Sequence, residues 1–168
     1  YGIYVVGTTS ISSNNNLYIN NTATSDVGDA IRLVLGEDNT FVNQIAISSS
    51  PGDYAIIMDD VNNTKFIDCT NLSASPTQIY IHTGTSLNNS FINCSYNSEY
   101  VREGETELIR KWYYQAYTNY TNGTAVSGAN ISAYNTTGQL EFTTLTNSSG
   151  LIDKQEITEY INTGGTRS

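Results

Sequence analysis

Asp38, the pair Asp59-Asp60 and His82 recur at nearly even intervals, a spacing that could bring them together. Paired carboxylates near a histidine have the groups needed for acid and base roles in glycosidic hydrolysis. Asp59-Asp60 also runs into Val61-Asn62-Asn63, which reads as a strand-ending turn where aspartate is at home without any catalytic reason. Asp29 and Asp53, separated by a similar interval, could meet in a turn and form a weak calcium site; the plainer reading of both is a solvated turn aspartate. One His, one Met and two Cys do not supply a copper site. The expectation is therefore no catalysis of the chain's own and no cofactor, with calcium as the one metal to consider.

The interval itself is the stronger signal. Phe66-Ile67-Asp68-Cys69 returns as Phe91-Ile92-Asn93-Cys94, and upstream the same slot reads Phe41-Val42-Asn43 and Tyr18-Ile19-Asn20. The aromatic anchors Tyr18, Phe41, Phe66 and Phe91 thus recur with a nearly constant period. A period of this length, roughly 23–25 residues, signifies a solenoid, in which each unit buries its apolar face only against its neighbours. A second apolar strand precedes each following anchor, at Ile3 to Val6, Ala30 to Leu35, Ala55 to Met58 and Ile79 to Ile81. Each coil thus holds at least two short strands, separated by polar turns and paired with their counterparts one coil away. Stacking at about 4.8 Å puts like on like: an aromatic stack, an aliphatic stack and an Asn/Asp ladder at Asn20, Asn43, Asp68 and Asn93.

Cys69 and Cys94, one coil apart, become stacked neighbours. A disulfide there would close a loop of one coil and contribute about 3 kcal/mol in the chain-entropy model. Stacked Cβ atoms about 4.8 Å apart exceed the roughly 3.5–4.5 Å that a bridge prefers, which favours a buried thiol ladder.

These repeats resemble the right-handed parallel β-helices of the pectin-lyase-like superfamily, and most closely the Asn-rich Asn-x-Phe-Ile-Asn repeats of archaeal and bacterial surface proteins. The resemblance covers residues 1–100 and implies the fold. It does not imply an activity, because the superfamily holds lyases, hydrolases, adhesins and structural shafts. Its polygalacturonases carry carboxylates and a histidine on successive coils, but that histidine lies between glycines. Here it reads Ile81-His82-Thr83, and the downstream Arg-x-Lys phrase is absent.

Composition excludes several classes of partner. Net charge is −9 with seven Lys and Arg together, so no basic stripe exists to neutralise nucleic-acid phosphates or an anionic membrane surface. No stretch approaches the roughly 18 to 20 apolar residues of a membrane span. Thirteen tyrosines against four phenylalanines point to many half-exposed aromatics. Asn-x-Ser/Thr occurs at ten positions, and this excess reads as an extracellular, cell-surface glycoprotein with N-linked glycans. Asn20 and Asn93 sit in the ladder slot and read as structural. Asn62, Asn71 and Asn88 read as loop positions open to glycans, as do Asn119, Asn122, Asn135 and Asn147 beyond the repeats.

Residues 101–108 are charged, contain no anchor and read as a linker or cap. Residues 109–168 have a different rhythm. Ile109 to Tyr117, Ala125 to Tyr134, Leu140 to Leu145 and Leu151 to Ile161 are strand-like, parted by turn clusters ending in Gly123, Gly138 and Gly150. The run from Asn122 to Ile131, with Gly128-Ala129, resembles immunoglobulin-like modules related to carboxypeptidase regulatory domains. That resemblance implies a small antiparallel β-sandwich, of which four strands are visible here.

The sequence therefore predicts an all-β chain: a parallel β-helix of about four coils, each of roughly 23–25 residues, then a sandwich. The expected role is a structural stalk, surface-coat or filament subunit that self-assembles, or joins neighbouring domains of a longer chain, through open ends. The alternative is a carbohydrate-active β-helix enzyme or a glycan-binding adhesin.

Overall fold

The computed structural model describes residues 1–7 and 13–168, and no helix occurs among them. The first turn of the chain runs through β1 (Ile3–Val6), β2 (Ser13–Asn14), β3 (Leu17–Ile19) and β4 (Thr22–Ser25). The second runs through β5 (Ile31–Glu37), β6 (Thr40–Val42) and β7 (Ile45–Ser48), and the third through β8 (Ile56–Asn62), β9 (Lys65–Ile67) and β10 (Asn71–Ser73). The fourth holds β11 (Ile79–Ile81) and β12 (Ser86–Ile92), and β13 (Glu99–Val101) and β14 (Thr106–Tyr114) follow. Corresponding strands pair in parallel from turn to turn, which makes a β-solenoid of about four turns.

The register is the one the anchors dictate: Tyr18 lies beside Phe41, Phe41 beside Phe66, and Phe66 beside Phe91. Their rings stack at 4.4, 4.6 and 4.9 Å with interplanar angles of 7, 8 and 4°. Ile31, Ile56 and Ile79 form a second buried stack, and Leu33, Met58, Ile81 and Val101 a third. A third sheet, β4 with β7 and β10, goes beyond the two strands per coil read from the repeat. Each of its strands sends one apolar side chain inward, Ala23, Ala46 and Leu72, which is too brief a pattern to register as a strand period.

The turns explain why the chain is rich in asparagine. Asn20, Asn43, Asp68 and Asn93 all have φ between 53 and 56°, and Asn15, Asp38, Asn63 and Asn88 form a second such set at 52 to 58°. Asn and Asp are the side-chain-bearing residues best suited to this left-handed region. Their amides also bond along the stack: Asn43 Nδ2 donates to Asn20 Oδ1 at 3.0 Å, and Asn93 Nδ2 to Asp68 Oδ1 at 2.6 Å. A further ladder stands two residues before each anchor, exposed at its first member and buried at the other three. Asn16, Asn39, Thr64 and Asn89 occupy it, with Asn39 Oδ1 accepting from the Asn16 N–H at 3.0 Å and Asn89 Oδ1 from the Thr64 N–H at 3.1 Å.

Residues 101–108 do not form a linker. β13 pairs in parallel with β11, and β14 with β12, so the solenoid continues through them. Val101, Thr106 and Leu108 are buried where earlier coils bury their own inward residues, while the charged side chains between them face out. The aromatic anchor is absent because Arg110 stands in register with Phe91. Tyr96 packs edge-on against Phe91 at 5.6 Å, and the Arg110 guanidinium covers the Tyr96 ring at 4.3 Å.

The chain divides into two compact units, Tyr1–Lys111 with Thr158–Ser168, and Trp112–Ile157. In the second unit β15 (Asn130–Tyr134) and β16 (Leu140–Leu145) form an antiparallel hairpin. The other segments expected in a sandwich lie elsewhere: β14 and β17 (Gln155–Thr163) are neighbours in the seven-stranded sheet of the solenoid, and β18 (Thr166–Arg167) pairs antiparallel to β17.

Candidate functional site

The outward surface of the sheet containing β5, β8 and β11 gathers the side chains with the most chemistry. Register puts Arg32 beside Ile57, which is beside Tyr80, which is beside Tyr100. Two residues along, Asp59 of β8 meets His82, which follows β11. His82 Nδ1 is 2.5 Å from Asp59 Oδ1, Thr83 Oγ1 donates to the same oxygen at 3.1 Å, and Arg32 Nη2 donates to Asp59 Oδ2 at 2.8 Å. The Asp59 side chain is only 10% exposed, so both its oxygens are occupied in a place largely withheld from water. Arg32 Nη1 also reaches Asp29 Oδ2 at 3.4 Å, and Asp29 Oδ1 accepts from the Tyr54 N–H at 3.0 Å.

Of the four candidate acid–base residues, then, the structure joins two. Asp38 belongs to the left-handed turn set with Asn63 and Asn88, in another part of the coil. Asp60, with φ of 52°, turns to the next coil, where its Oδ1 accepts from the Thr85 N–H at 3.0 Å over Gly84. An interval shorter than the coil cannot keep every member in one row, which is why the spacing misled. The two carboxylates of the calcium pair are each engaged with other groups: Asp29 with Arg32 and the Tyr54 backbone, and Asp53 Oδ2 with Ser50 Oγ. No group of three or more His, Cys, Asp or Glu that could hold a metal occurs among the described residues.

Beside the Asp59 cluster runs a tyrosine series. Tyr54 and Tyr80 lie 4.6 Å apart, Tyr80 and Tyr100 stack at 5.1 Å, and Tyr80 meets His82 edge-on at 4.9 Å. Burial, followed by neighbouring tyrosine and aspartate charge, raises the Tyr54 hydroxyl above its ordinary value; burial also raises that of Tyr80, so both stay protonated. Tyr80 and Tyr100 each cover one face of the other, while Tyr54 is tilted by 51° to Tyr80.

Both cysteines are free and buried, one above the other. The Cys69 N–H points at Cys94 Sγ at 3.2 Å, and the hydrogen bond between the two side chains, then burial, pushes the Cys69 thiol far up. Such a thiol is a core group and a poor nucleophile. An open cleft of about 300 Å³ lies at the ends of β7 and β10, lined by Ser48, Ser49, Ser50, Pro51, Ser73 and Ser75 among others, and none of its lining residues is titratable.

Asn62 and Asn88 are not in loops: they lie in β8 and β12, because the strands run on to the second left-handed turn. Asn71 opens β10. One site had no sequence signal beyond a charged interruption. The Glu99 side chain, 1% exposed, accepts from Tyr96 Oη at 2.9 Å, Tyr160 Oη at 2.7 Å, Asn162 Nδ2 at 2.7 Å and Arg167 Nε at 3.2 Å. It therefore ties residues 160–167 to β13. Only the long separation of its partners in sequence hid it.

No protein-family model, no curated protein and no solved structure matches the chain. No helix among the described residues is long and apolar enough to cross a membrane.

Proposed function

We propose that the chain is a structural module of an extracellular, cell-surface glycoprotein: a right-handed β-helix shaft, with the β15–β16 hairpin as part of an immunoglobulin-like module, working as a stalk, coat or filament unit. The observation that carries this reading is the engagement of the Asp59 cluster. Its carboxylate is committed to Arg32, His82 and Thr83, and beside it Tyr80 is covered on one face by Tyr100. A hydrolase needs a carboxyl group free to exchange a proton with substrate, and a sugar-binding platform needs open ring faces. The same contacts are what a load-bearing shaft requires, since each ties one coil to the next.

Asp59→Asn tests the choice. On the structural reading it lowers stability by about 2 kcal/mol, because Arg32 loses its closest charged partner, and there is no polysaccharide cleavage for it to abolish. Release of oligosaccharides from acidic polysaccharides by the unaltered chain, lost in Asp59→Asn, would overturn the proposal in favour of a carbohydrate-active enzyme.

A further inference from the structure

The Asn-x-Ser/Thr sites divide by what their amides, and the hydroxyl residues two positions on, already do. Asn88 Nδ2 donates to Asn63 Oδ1 at 2.9 Å, Asn93 Nδ2 to Asp68 Oδ1 at 2.6 Å and Asn135 Nδ2 to Gln139 Oε1 at 3.3 Å. At Asn62 the third residue of the motif, Thr64, is fully buried, and at Asn130 the required hydroxyl of Ser132 is bonded to Thr143 Oγ1 at 3.0 Å. Asn20 Nδ2 has no partner among the described residues, but its Oδ1 accepts from Asn43 Nδ2 at 3.0 Å within a left-handed turn of φ 55°, which keeps its amide in the ladder. Asn71, Asn119, Asn122 and Asn147 are different. All four are exposed, and among the described residues their Nδ2 atoms have no partner. Asn122 and Asn147 are also held in place, their Oδ1 atoms accepting from the N–H of Thr124 at 3.0 Å and of Ser149 at 2.9 Å. Exposure alone does not make this division, because Asn88 and Asn93 are exposed too.

We propose that Asn71, Asn119, Asn122 and Asn147 are the N-glycan acceptors of the folded chain, and that the amide ladders withhold Asn88 and Asn93. The biological setting rests on the extracellular reading above; the geometry does not. In the transfer, Nδ2 forms a bond to the anomeric carbon of a sugar-diphosphate donor. The bond from that carbon to the diphosphate oxygen breaks, one amide proton passes to the transferase's base, and the diphosphate leaves. A nitrogen donating within a ladder must first give up that hydrogen bond and open the turn that holds it, whereas the four free amides need not.

The test uses the purified full chain, a soluble N-glucosyltransferase that reads Asn-x-Ser/Thr on folded protein, and UDP-glucose, with site occupancy followed over time by glycopeptide mass spectrometry. The expected result is modification at the four acceptors at least about tenfold faster than at Asn88 or Asn93, the factor that one withheld hydrogen bond represents. In Asp68→Gly, where glycine accepts the φ of 56° and removes the oxygen that holds Asn93, Asn93 should join the fast set. Equal rates at Asn88, Asn93 and Asn71, refusal of the four acceptors, or an Asn93 unchanged by Asp68→Gly would each overturn the proposal. Protein isolated from its natural source separates the two readings. Bare asparagines there, with the expected rates in vitro, would refute the glycoprotein assignment and leave the acceptor geometry standing.

Discussion

The solenoid and the unit formed by Trp112–Ile157 draw on the same polar residues and use them in opposite ways. Among the described residues of the solenoid, nine left-handed positions hold Asn or Asp, beside Leu35 and several glycines, and three pairs of these side chains bond from one coil to the next: Asn20 with Asn43, Asn63 with Asn88 and Asp68 with Asn93. In Trp112–Ile157 the positive-φ positions are all glycines, Gly123, Gly128, Gly138 and Gly150, while Asn122, Asn135 and Asn147 fold their Oδ1 back on nearby backbone N–H groups. The difference follows from what lies above and below. A stacked turn rewards a side chain that can bond to the next copy, which offsets the strain of a Cβ in that conformation. An isolated turn offers no such bond, and glycine avoids the strain altogether. Burial follows the same division: Phe41, Phe66 and Phe91 are wholly buried, but the inward residues of the hairpin, Ile131, Ala133 and Phe142, are only half-buried.

The comparison breaks if the two apolar faces turn out to matter equally. Phe66→Ala removes the middle of the aromatic stack and should cost about 3–5 kcal/mol, read as a lowered midpoint in denaturant. Phe142→Ala, half-buried beside Tyr114 at 5.8 Å, should cost roughly 1–2 kcal/mol. Equal losses would mean that the hairpin has a core of its own.

Glu99→Gln sharpens the comparison within the solenoid unit, at the segment Thr158–Ser168. The change leaves the volume intact but deprives Arg167 and the two tyrosine hydroxyls of a charged acceptor, a loss of roughly 2–3 kcal/mol. Amide exchange over 158–168 should rise while β5, β6, β8 and β9 keep their protection. If exchange rises evenly across all coils, Glu99 supports the whole unit and does not act as a local tie.

Alkali should reach the solenoid first through the Cys69 thiol and then through tyrosine hydroxyls that hold their protons in the fold, Tyr96 above all, with Tyr54, Tyr80 and Tyr160. The Cys69 thiol is raised from 9.0, mainly by its hydrogen bond with Cys94 and then by burial, and the Tyr96 hydroxyl from 10.0, mainly by burial and then by Glu99. A raised value means that the unfolded chain loses the proton first, so the stabilisation is complete below the unfolded value and declines above it. Stability should therefore fall by about 1.4 kcal/mol per pH unit from pH 9, with the slope at least doubling beyond pH 10. Cys69→Ala should remove the part between pH 9 and 10; an unchanged slope there would assign it to another group.

Much of this was legible in the sequence, and the rest was hidden for identifiable reasons. The Phe-Ile-Asp/Asn-Cys phrase gave the register, the thiol stack and one Asn/Asp ladder, because like residues recur at a fixed spacing and in-register stacking does the rest. The coil after Phe91 was hidden because its anchor slot holds Arg110, and Tyr96 supplies the ring from a different position. The Asp59–His82 pair was visible as a spacing, but its decisive partner was not. Arg32 sits on the neighbouring strand and two residues off the row, a relation that no periodicity encodes. Asp38 and Asp60 shared the spacing and missed the site, since each occupies a left-handed turn or bulge that points it elsewhere.

The smallest predicted effect bears most directly on the comparison. Asn43→Gly keeps the backbone free to adopt φ of 54° but removes the bond to Asn20 and loosens the unfolded chain, for a loss of about 1 kcal/mol. Asn43→Ala loses the same bond and places a Cβ without compensation in the left-handed region, which should cost about 1 kcal/mol more. At Gly138, where φ is 84° and an added Cβ would meet nothing within 4 Å, substitution by Asn has no stacked neighbour to bond and should shift stability by about 0.5 kcal/mol or less. Thermal melts of the three variants rank the alternatives. If Asn43→Gly is neutral, the solenoid's asparagines serve only to permit the turn, and glycine would do as well. A measurable loss there, beside a near-neutral Gly138→Asn, means that the bond between coils is what selects asparagine. The abundance of Asn-x-Ser/Thr motifs within the solenoid is then largely a by-product of turn chemistry.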